Sequence, residues 1–342
     1  MRIALDAMGG DFGPRPNVVG ALKALAASPD LTVVLVGDRA GIEVELTTAG
    51  ATSQERLEIV HSADVVGMNE KPTEAFRKKP DNSIARCWQL VAGKDVHGLV
   101  SAGNTGAVVA GGFITRRFLK HVKRPGIATV MPSGHGRTVI LDVGANVFPK
   151  PIHLLQYGVM GMVYAREMYG IASPKIGLMN VGEEQGKGHE LVQQTYDLFR
   201  NGPLKDRFVG NVEGRDVHTG AVDVIVTDGF VGNVVLKHAE GLSEFILNLV
   251  AQDVIGALAA ERELATVALK AMVAKLHYSS AGGAPLLGID GVCIICHGSS
   301  DERAISNALG MAAKNVRVGL NDRIVAELAT LPSSLSVNGD EE

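Results

Sequence analysis

Short apolar runs alternate with longer helix-patterned stretches along almost the whole chain. Ile3 to Leu5, Val33 to Val36, Gly98 to Ser101, Thr138 to Asp142, Ile176 to Met179, Val222 to Thr227 and Val292 to Cys296 read as buried strands. Ile152 to Tyr169 and Glu190 to Phe199 are among the helical stretches between them. Strands separated by helices predict right-handed crossovers and a mostly parallel sheet covered on both faces, a three-layer α/β/α architecture. In such sheets ligands sit beyond the carboxyl ends of the strands, so the strand-exit loops are the places to search. One element breaks the rhythm: residues 234–276 carry two long helical patterns with a weak break near Gln252 to Gly256, which predicts a projecting helical hairpin.

Composition narrows the class. With 342 residues and 46% hydrophobic content, the chain can bury a large core. We expect one α/β domain over 1–330 that includes the hairpin, and a disordered polar tail at 333–342. No basic leader precedes the first strand and no apolar run reaches membrane-spanning length, so a cytoplasmic, soluble chain is expected. A net charge of −4 argues against nucleic acid as a partner. Glycine is plentiful at 41 residues while aromatics make up 4%, a balance that favours tight turns and close backbone approach to a ligand.

The exit loops are rich in Gly, Asn and Asp: Asp6-Ala-Met-Gly-Gly-Asp11, Ser101-Ala-Gly-Asn-Thr-Gly106, Asp142-Val-Gly-Ala-Asn146, Asn180-Val-Gly-Glu-Glu184, Thr227-Asp-Gly-Phe-Val-Gly-Asn233 and His297-Gly-Ser-Ser-Asp301. Any one of them alone reads as a turn with a helix N-cap. Six of one kind exceed what turns require. Gly182-Glu-Glu-Gln-Gly186-Lys187-Gly188 has three residues between its glycines where a nucleotide P-loop needs four, and Gly188 replaces the magnesium-binding hydroxyl. What remains is a glycine-flanked lysine at a strand exit, well placed to face an anion. Cys293-Ile-Ile-Cys296-His297 matches a haem-attachment string, but its cysteines lie in an apolar strand-like run and read as packing residues on one face, with no metal site. Neither G-x-G-x-x-G nor G-x-S-x-G occurs at a strand exit, which leaves a dinucleotide cofactor and a serine nucleophile unsupported. The densest basic run, Arg116 to Arg124, follows a helix beginning near Asn104. Arg116, Lys120 and Lys123 are expected on one helical face, as a solvated helix end or as a dock for an acidic partner.

Asp6-Ala-Met-Gly-Gly-Asp-Phe-Gly-Pro14, Ser101-Ala-Gly-Asn-Thr-Gly-Ala107, Asp228-Gly-Phe-Val-Gly-Asn233 and His297-Gly-Ser-Ser300 occur in order over about residues 1 to 320. In these segments the chain resembles the bacterial phosphate acyltransferases of phospholipid synthesis. The resemblance implies a fold related to phosphotransacetylases and the isocitrate dehydrogenase group, and a homodimer in peripheral contact with the membrane. It further implies transfer of a long acyl group from acyl carrier protein to inorganic phosphate, the acyl phosphate passing to a membrane glycerol-3-phosphate acyltransferase. No cofactor is implied. A short-chain phosphotransacetylase acting on acyl-coenzyme A is the alternative.

Phosphate is itself nucleophilic, so catalysis reduces to alignment, oxyanion stabilisation and help for the leaving thiolate. Lys187 is the expected contact to phosphate or oxyanion, His297 the expected proton donor, and Asp228 an orienting group. Substrate is expected on Asp6, Gly9, Gly10, Asp11, Ser101, Asn104, Thr105, Gly106, Asn146, Asn180, Glu183, Gly229, Asn233 and Ser299. Arg116, Lys120 and Lys123 are expected to dock the acidic carrier protein. The apolar stripe Leu242, Phe245, Ile246, Leu249 and Val250 is assigned to packing against a helix or a second subunit. The hairpin tip, Val254, Ile255 and Leu258, is expected to contact the membrane, with a contact to the second subunit as the alternative.

Overall fold

The structure is a computed structural model that describes residues 1–332 other than 53, 135, 257, 259 and 277–281; the expected tail at 333–342 lies outside the described residues. The chain begins β1 (Arg2–Asp6), α1 (Pro14–Ala27), β2 (Thr32–Gly37), α2 (Arg39–Thr48), β3 (Leu57–His61), α3 (Pro72–Lys78), α4 (Ser83–Ala92), β4 (Gly98–Ser101) and α5 (Thr105–Ile114). It continues β5 (Gly126–Ser133), β6 (Gly136–Leu141), α6 (Pro151–Tyr169), β7 (Ile176–Met179), α7 (Glu190–Asn201), β8 (Phe208–Val212) and β9 (Val224–Val226). Then come α8 (Gly229–Leu249), which runs on through a π-helical stretch Val250–Ile255, α9 (Arg262–Leu276), β10 (Ala284–Leu287), β11 (Val292–Ile295), α10 (Glu302–Arg317) and α11 (Leu320–Leu328).

All the strands form one sheet in the order β3-β2-β1-β4-β11-β10-β5-β6-β9-β7-β8. Alternate residues of each inner strand enter opposite layers, as the period of two requires. Ile3, Leu5, Val33 and Leu35 pack under α1 and α10. Ala4, Val34, Val36 and Leu99 face the layer that holds α4 and α5. On the other half of the sheet, α6, α7 and α11 cover Leu141, Leu178, Val224 and Val226. Helix α4 meets α5 at Gly111, where a Cβ would stand 2.5 Å or less from the Trp88 ring, and Trp88 donates to the Val108 carbonyl at 3.0 Å.

The mostly parallel sheet contains an antiparallel seam. Strand β10 pairs antiparallel with both β11 and β5, and β5 pairs antiparallel with β6. Hence β6, β9, β7 and β8 run opposite, along the ladder, to β3, β2, β1, β4 and β11. Four strands escape the sequence pattern. β3 is an edge strand with half-exposed residues, β5 ends in Pro132 and Ser133, β8 carries Gly210, and β10 carries Pro285, which cannot donate to a ladder.

Two expectations need correction. Cys293 packs in the layer with Ile295, and Cys296 on the opposite face with Ile294, because a spacing of three crosses a pleated strand. The hairpin is helical as expected, with α8 starting five residues before the predicted boundary, but Ile255 at its tip is buried. Val254 is exposed and Leu258 half-buried. Leu242, Phe245, Ile246 and Leu249 are exposed. No helix among those residues is long and apolar enough to cross a membrane.

Candidate active site

The reversed strand directions divide the predicted loops into two clusters, and no hydrogen bond or ion pair among the described residues joins them. The first lies at the exits of β1, β4 and β11. Asp6 is fully buried; its Oδ2 accepts the Ser101 hydroxyl at 2.7 Å and its Oδ1 the Met8 N–H at 3.2 Å. Burial pushes the Asp6 carboxyl up from the ordinary range, while hydrogen bonds from Ser101, Ser83, Met8 and Gly9 pull it back. Ser101 Oγ in turn accepts the Gly103 N–H at 3.0 Å. Gly9 sits so close that a Cβ there would be 2.6 Å from the Gly103 nitrogen. Gly10 adopts φ +102° against the Gly298 carbonyl, and Asp11 donates its N–H to that carbonyl at 2.8 Å.

Asn104 caps α5 by accepting from Ala107 at 3.0 Å, and its Nδ2 donates to the carbonyls of Gly67, Met68 and Glu70. Both of its amide hydrogens are therefore committed, and it positions the loop instead of offering a donor to substrate. Thr105, Gly106, Asp11, His297 and Ser299 remain exposed on this edge. His297 Nδ1 lies 2.7 Å from the Ser299 hydroxyl and 3.2 Å from the Ser299 backbone nitrogen, which orients the ring.

The second cluster lies at the exits of β6, β9 and β7. Its centre is Asp142, fully buried, whose Oδ1 accepts the N–H groups of Ile127, Gly144 and Ala145 and whose Oδ2 accepts that of Asn146 at 2.7 Å. Burial raises the Asp142 carboxyl, and these four amides oppose the shift. Asn146 donates to the Pro125 carbonyl at 2.6 Å and to Tyr157 Oη at 2.8 Å, while its own carbonyl accepts the Gly229 N–H at 2.8 Å. Asp228 caps α8 by accepting from Phe230 and Val231, both at 2.9 Å. Only glycine fits at 229, where a Cβ would stand 2.8 Å from the Asn146 carbonyl oxygen. Asn233 lies beside Gly144.

Asn180 closes the lysine loop from within: its Oδ1 accepts the Val181 N–H and its Nδ2 donates to the Lys187 carbonyl at 3.1 Å. Glu183 pairs with Arg215 at 3.3 Å on the surface. The Lys187 ammonium is exposed and makes no hydrogen bond or ion pair among the described residues. It precedes α7, whose N-cap residue His189 supplies no side-chain acceptor, so the Glu190 and Leu191 amides at the start of that helix are open to an anion.

The basic run differs from expectation. Helix α5 stops at Ile114, Arg116 takes φ +48°, and the segment to Pro125 is irregular, so Arg116, Lys120 and Lys123 share no helical face. Tertiary ties override the helical spacing: Leu119 donates to the Gly288 carbonyl, and Gln156 donates to that of His121 at 2.7 Å. Pro125, the residue after the run, accepts from Asn146 through its carbonyl, and this attaches the run to the second cluster. Sequence reasoning missed Asp142 as a site residue, together with Asn17, which ties the first loop through the Ala7 and Gly9 carbonyls. The Asp-x-Gly-x-Asn spacing of 142–146 was the available signal for the first; Asn17 gave none.

A family model described as fatty acid synthesis protein matches residues 1–323. A phosphate acyltransferase of Nitratidesulfovibrio vulgaris is 46% identical over 94% of this chain and 93% of its own length. Another from Pelotomaculum thermopropionicum is 43% identical over 99% and 97%. Among solved structures, a phosphotransacetylase from Streptococcus pyogenes superposes with a TM-score of 0.63 at 17% identity, covering 93% of this chain and 94% of that one, a likeness of fold. Matched across nearly its full length by the family model and by these relatives, the chain belongs to the fatty acid synthesis protein family.

Proposed function

We propose that the protein is an acyltransferase that moves a long fatty acyl group from acyl carrier protein to inorganic phosphate, giving acyl phosphate for phospholipid synthesis. The relatives named phosphate acyltransferase support the reaction class. The observation that carries the choice of donor is the Asn146–Pro125 hydrogen bond, which fixes the end of the basic run to the cluster that contains Lys187. An acidic carrier protein docked on Arg116, Lys120 and Lys123 then delivers its thioester beside that cluster.

In this reading phosphate binds Lys187 and the open amides of α7, and an oxygen of the dianion attacks the thioester carbonyl. The charge that develops on the carbonyl oxygen is met by the lysine ammonium, aided by Asn233. Collapse of the tetrahedral intermediate breaks the C–S bond. His297, as imidazolium, is the proposed proton source for the thiolate, which reaches it once the C–S bond has broken and the freed arm swings to the first cluster. Asp142, Asp228 and Gly229 hold the frame. Asp6, Gly9, Gly10 and Ser101 do the same for the first cluster, where the exposed Asp11, Thr105, Gly106 and Ser299 are the proposed contacts to the donor's arm.

A homodimer through the exposed stripe of α8, and peripheral membrane contact through Val254 and Leu258 that hands acyl phosphate to a membrane glycerol-3-phosphate acyltransferase, complete the proposal. The test is phosphate-dependent release of free thiol from palmitoyl-acyl carrier protein, beside acetyl- and palmitoyl-coenzyme A. Preference for the carrier-bound palmitoyl donor is expected; turnover of acetyl-coenzyme A alone would replace this reading with that of a short-chain phosphotransacetylase.

A further inference from the structure

Resting on the acyl-transfer reading, we propose that the acyl chain lies on an apolar shelf made by Phe148, Val181, Phe230 and Val234 at the edge of the second cluster. Phe148 is 95% exposed, Val181 81%, Phe230 62% and Val234 54%. They come from three separate segments, the loop after β6, the loop after β7 and the start of α8 after β9, yet those segments leave adjacent strands, because β9 pairs with both β6 and β7. Neighbouring strands lie about 5 Å apart, so the side chains converge on one edge. Each is anchored beside a polar element of the site. Phe148 stands two residues after Asn146, Val181 follows the loop-closing Asn180, and Phe230 lies in the capped turn whose Gly229 bonds the Asn146 carbonyl. The backbone amides of Val181 and Phe230 are held by the Asn180 and Asp228 side chains, while all four apolar side chains are exposed among the described residues. A substrate with a polar carbonyl at Lys187 and a methylene chain leading away from it matches a polar cluster edged by exposed aromatic and aliphatic groups. Phe230 and Val234 also begin the exposed face of α8, so the shelf points the chain's far end along that helix.

The experiment uses the full chain with Phe148→Ser and Phe230→Ala, alone and together, assayed with palmitoyl- and butyryl-carrier protein, and with sedimentation of each variant. Palmitoyl turnover per KM is expected to fall about tenfold or more. Butyryl turnover and the phosphate KM should stay within about twofold, with oligomeric state unchanged. Equal losses on both donors, or an altered oligomeric state with chain-length preference kept, would overturn the shelf and mark the surface as a subunit contact. Thiol release from neither donor by the unmodified protein would sink the acyl-transfer reading itself, and the shelf with it.

Discussion

Gly232, in the first turn of α8, lies against the Asp142 carbonyl with no room for a Cβ between them. This contact sets the height of α8 over the β6 exit, and so the place of Asn233. Gly232→Ala is expected to lower the urea midpoint and reduce turnover together, because backbone must shift to relieve the overlap. Gly241→Ala, in the same helix with nothing within 4 Å of the new methyl, is the control. It should leave turnover alone and raise stability by about 0.5–1 kcal/mol through helix propensity.

Lys187→Ala should cut turnover about tenfold to a thousandfold, the range for removing one preorganised charged contact from a transition state. Its ammonium is exposed and bonded to nothing described, so thermal stability should not change. An unchanged rate in the folded variant would show the lysine to be merely solvated.

Asp142→Asn replaces an acceptor oxygen by an amide group in a pocket of donors. One of the N–H groups of Ile127, Gly144, Ala145 or Asn146 then faces another N–H. Chemical denaturation should show a loss of about 1–3 kcal/mol or more, with turnover falling as the loop loses its geometry.

His153 gives the fold a pH-dependent element. Its Nδ1 accepts the Lys150 N–H at 3.0 Å, and burial, followed by Arg124, Lys150 and Lys123, lowers its pKa from 6.5 to about 4. The folded state thus binds fewer protons than the unfolded state between these values. This contribution is complete above about pH 6.5 and is lost as pH falls toward about 4. Between pH 7 and pH 5 it amounts to up to about 2 kcal/mol. His153→Gln, which keeps an acceptor, should therefore show a smaller drop in Tm on acidification than the unmodified protein.

Charge reversal at Arg116 and Lys120 should raise the KM for the carrier-protein donor several-fold, with the effect shrinking as salt rises, and leave the KM for phosphate unchanged. Equal effects on both substrates would mark the run as a solvated segment.

Much of this architecture is written in local pattern. Val33 to Val36, Gly98 to Ser101 and Ile176 to Met179 announce strands because they are continuous apolar runs buried on both faces, and all three appear within a residue of the predicted bounds. The antiparallel seam is not legible, because Pro285 and Pro132 hide strands that only long-range pairing can impose. The same limit splits the site: six loops alike in composition look equivalent in a string of letters, whereas strand direction, a property of the assembled sheet, sends them to different edges. Asn104 shows it for a single residue. Its letter promised a donor to substrate, and the carbonyls that consume it lie some thirty-five residues away.

The place of β11 between β4 and β10 has a consequence for how the protein is made. A ribosome delivers β1, β2, β3 and β4 within the first hundred or so residues, and that parallel group can begin to assemble, but the flank of β4 has no partner until Val292–Ile295 emerges. Through most of synthesis the nascent chain therefore displays an open edge of unpaired backbone groups, the surface most prone to joining a second chain. Closure waits for a strand drawn from nearly two hundred residues downstream, which makes assembly slow relative to its local elements and leaves the growing polypeptide dependent on protection until its last strand arrives.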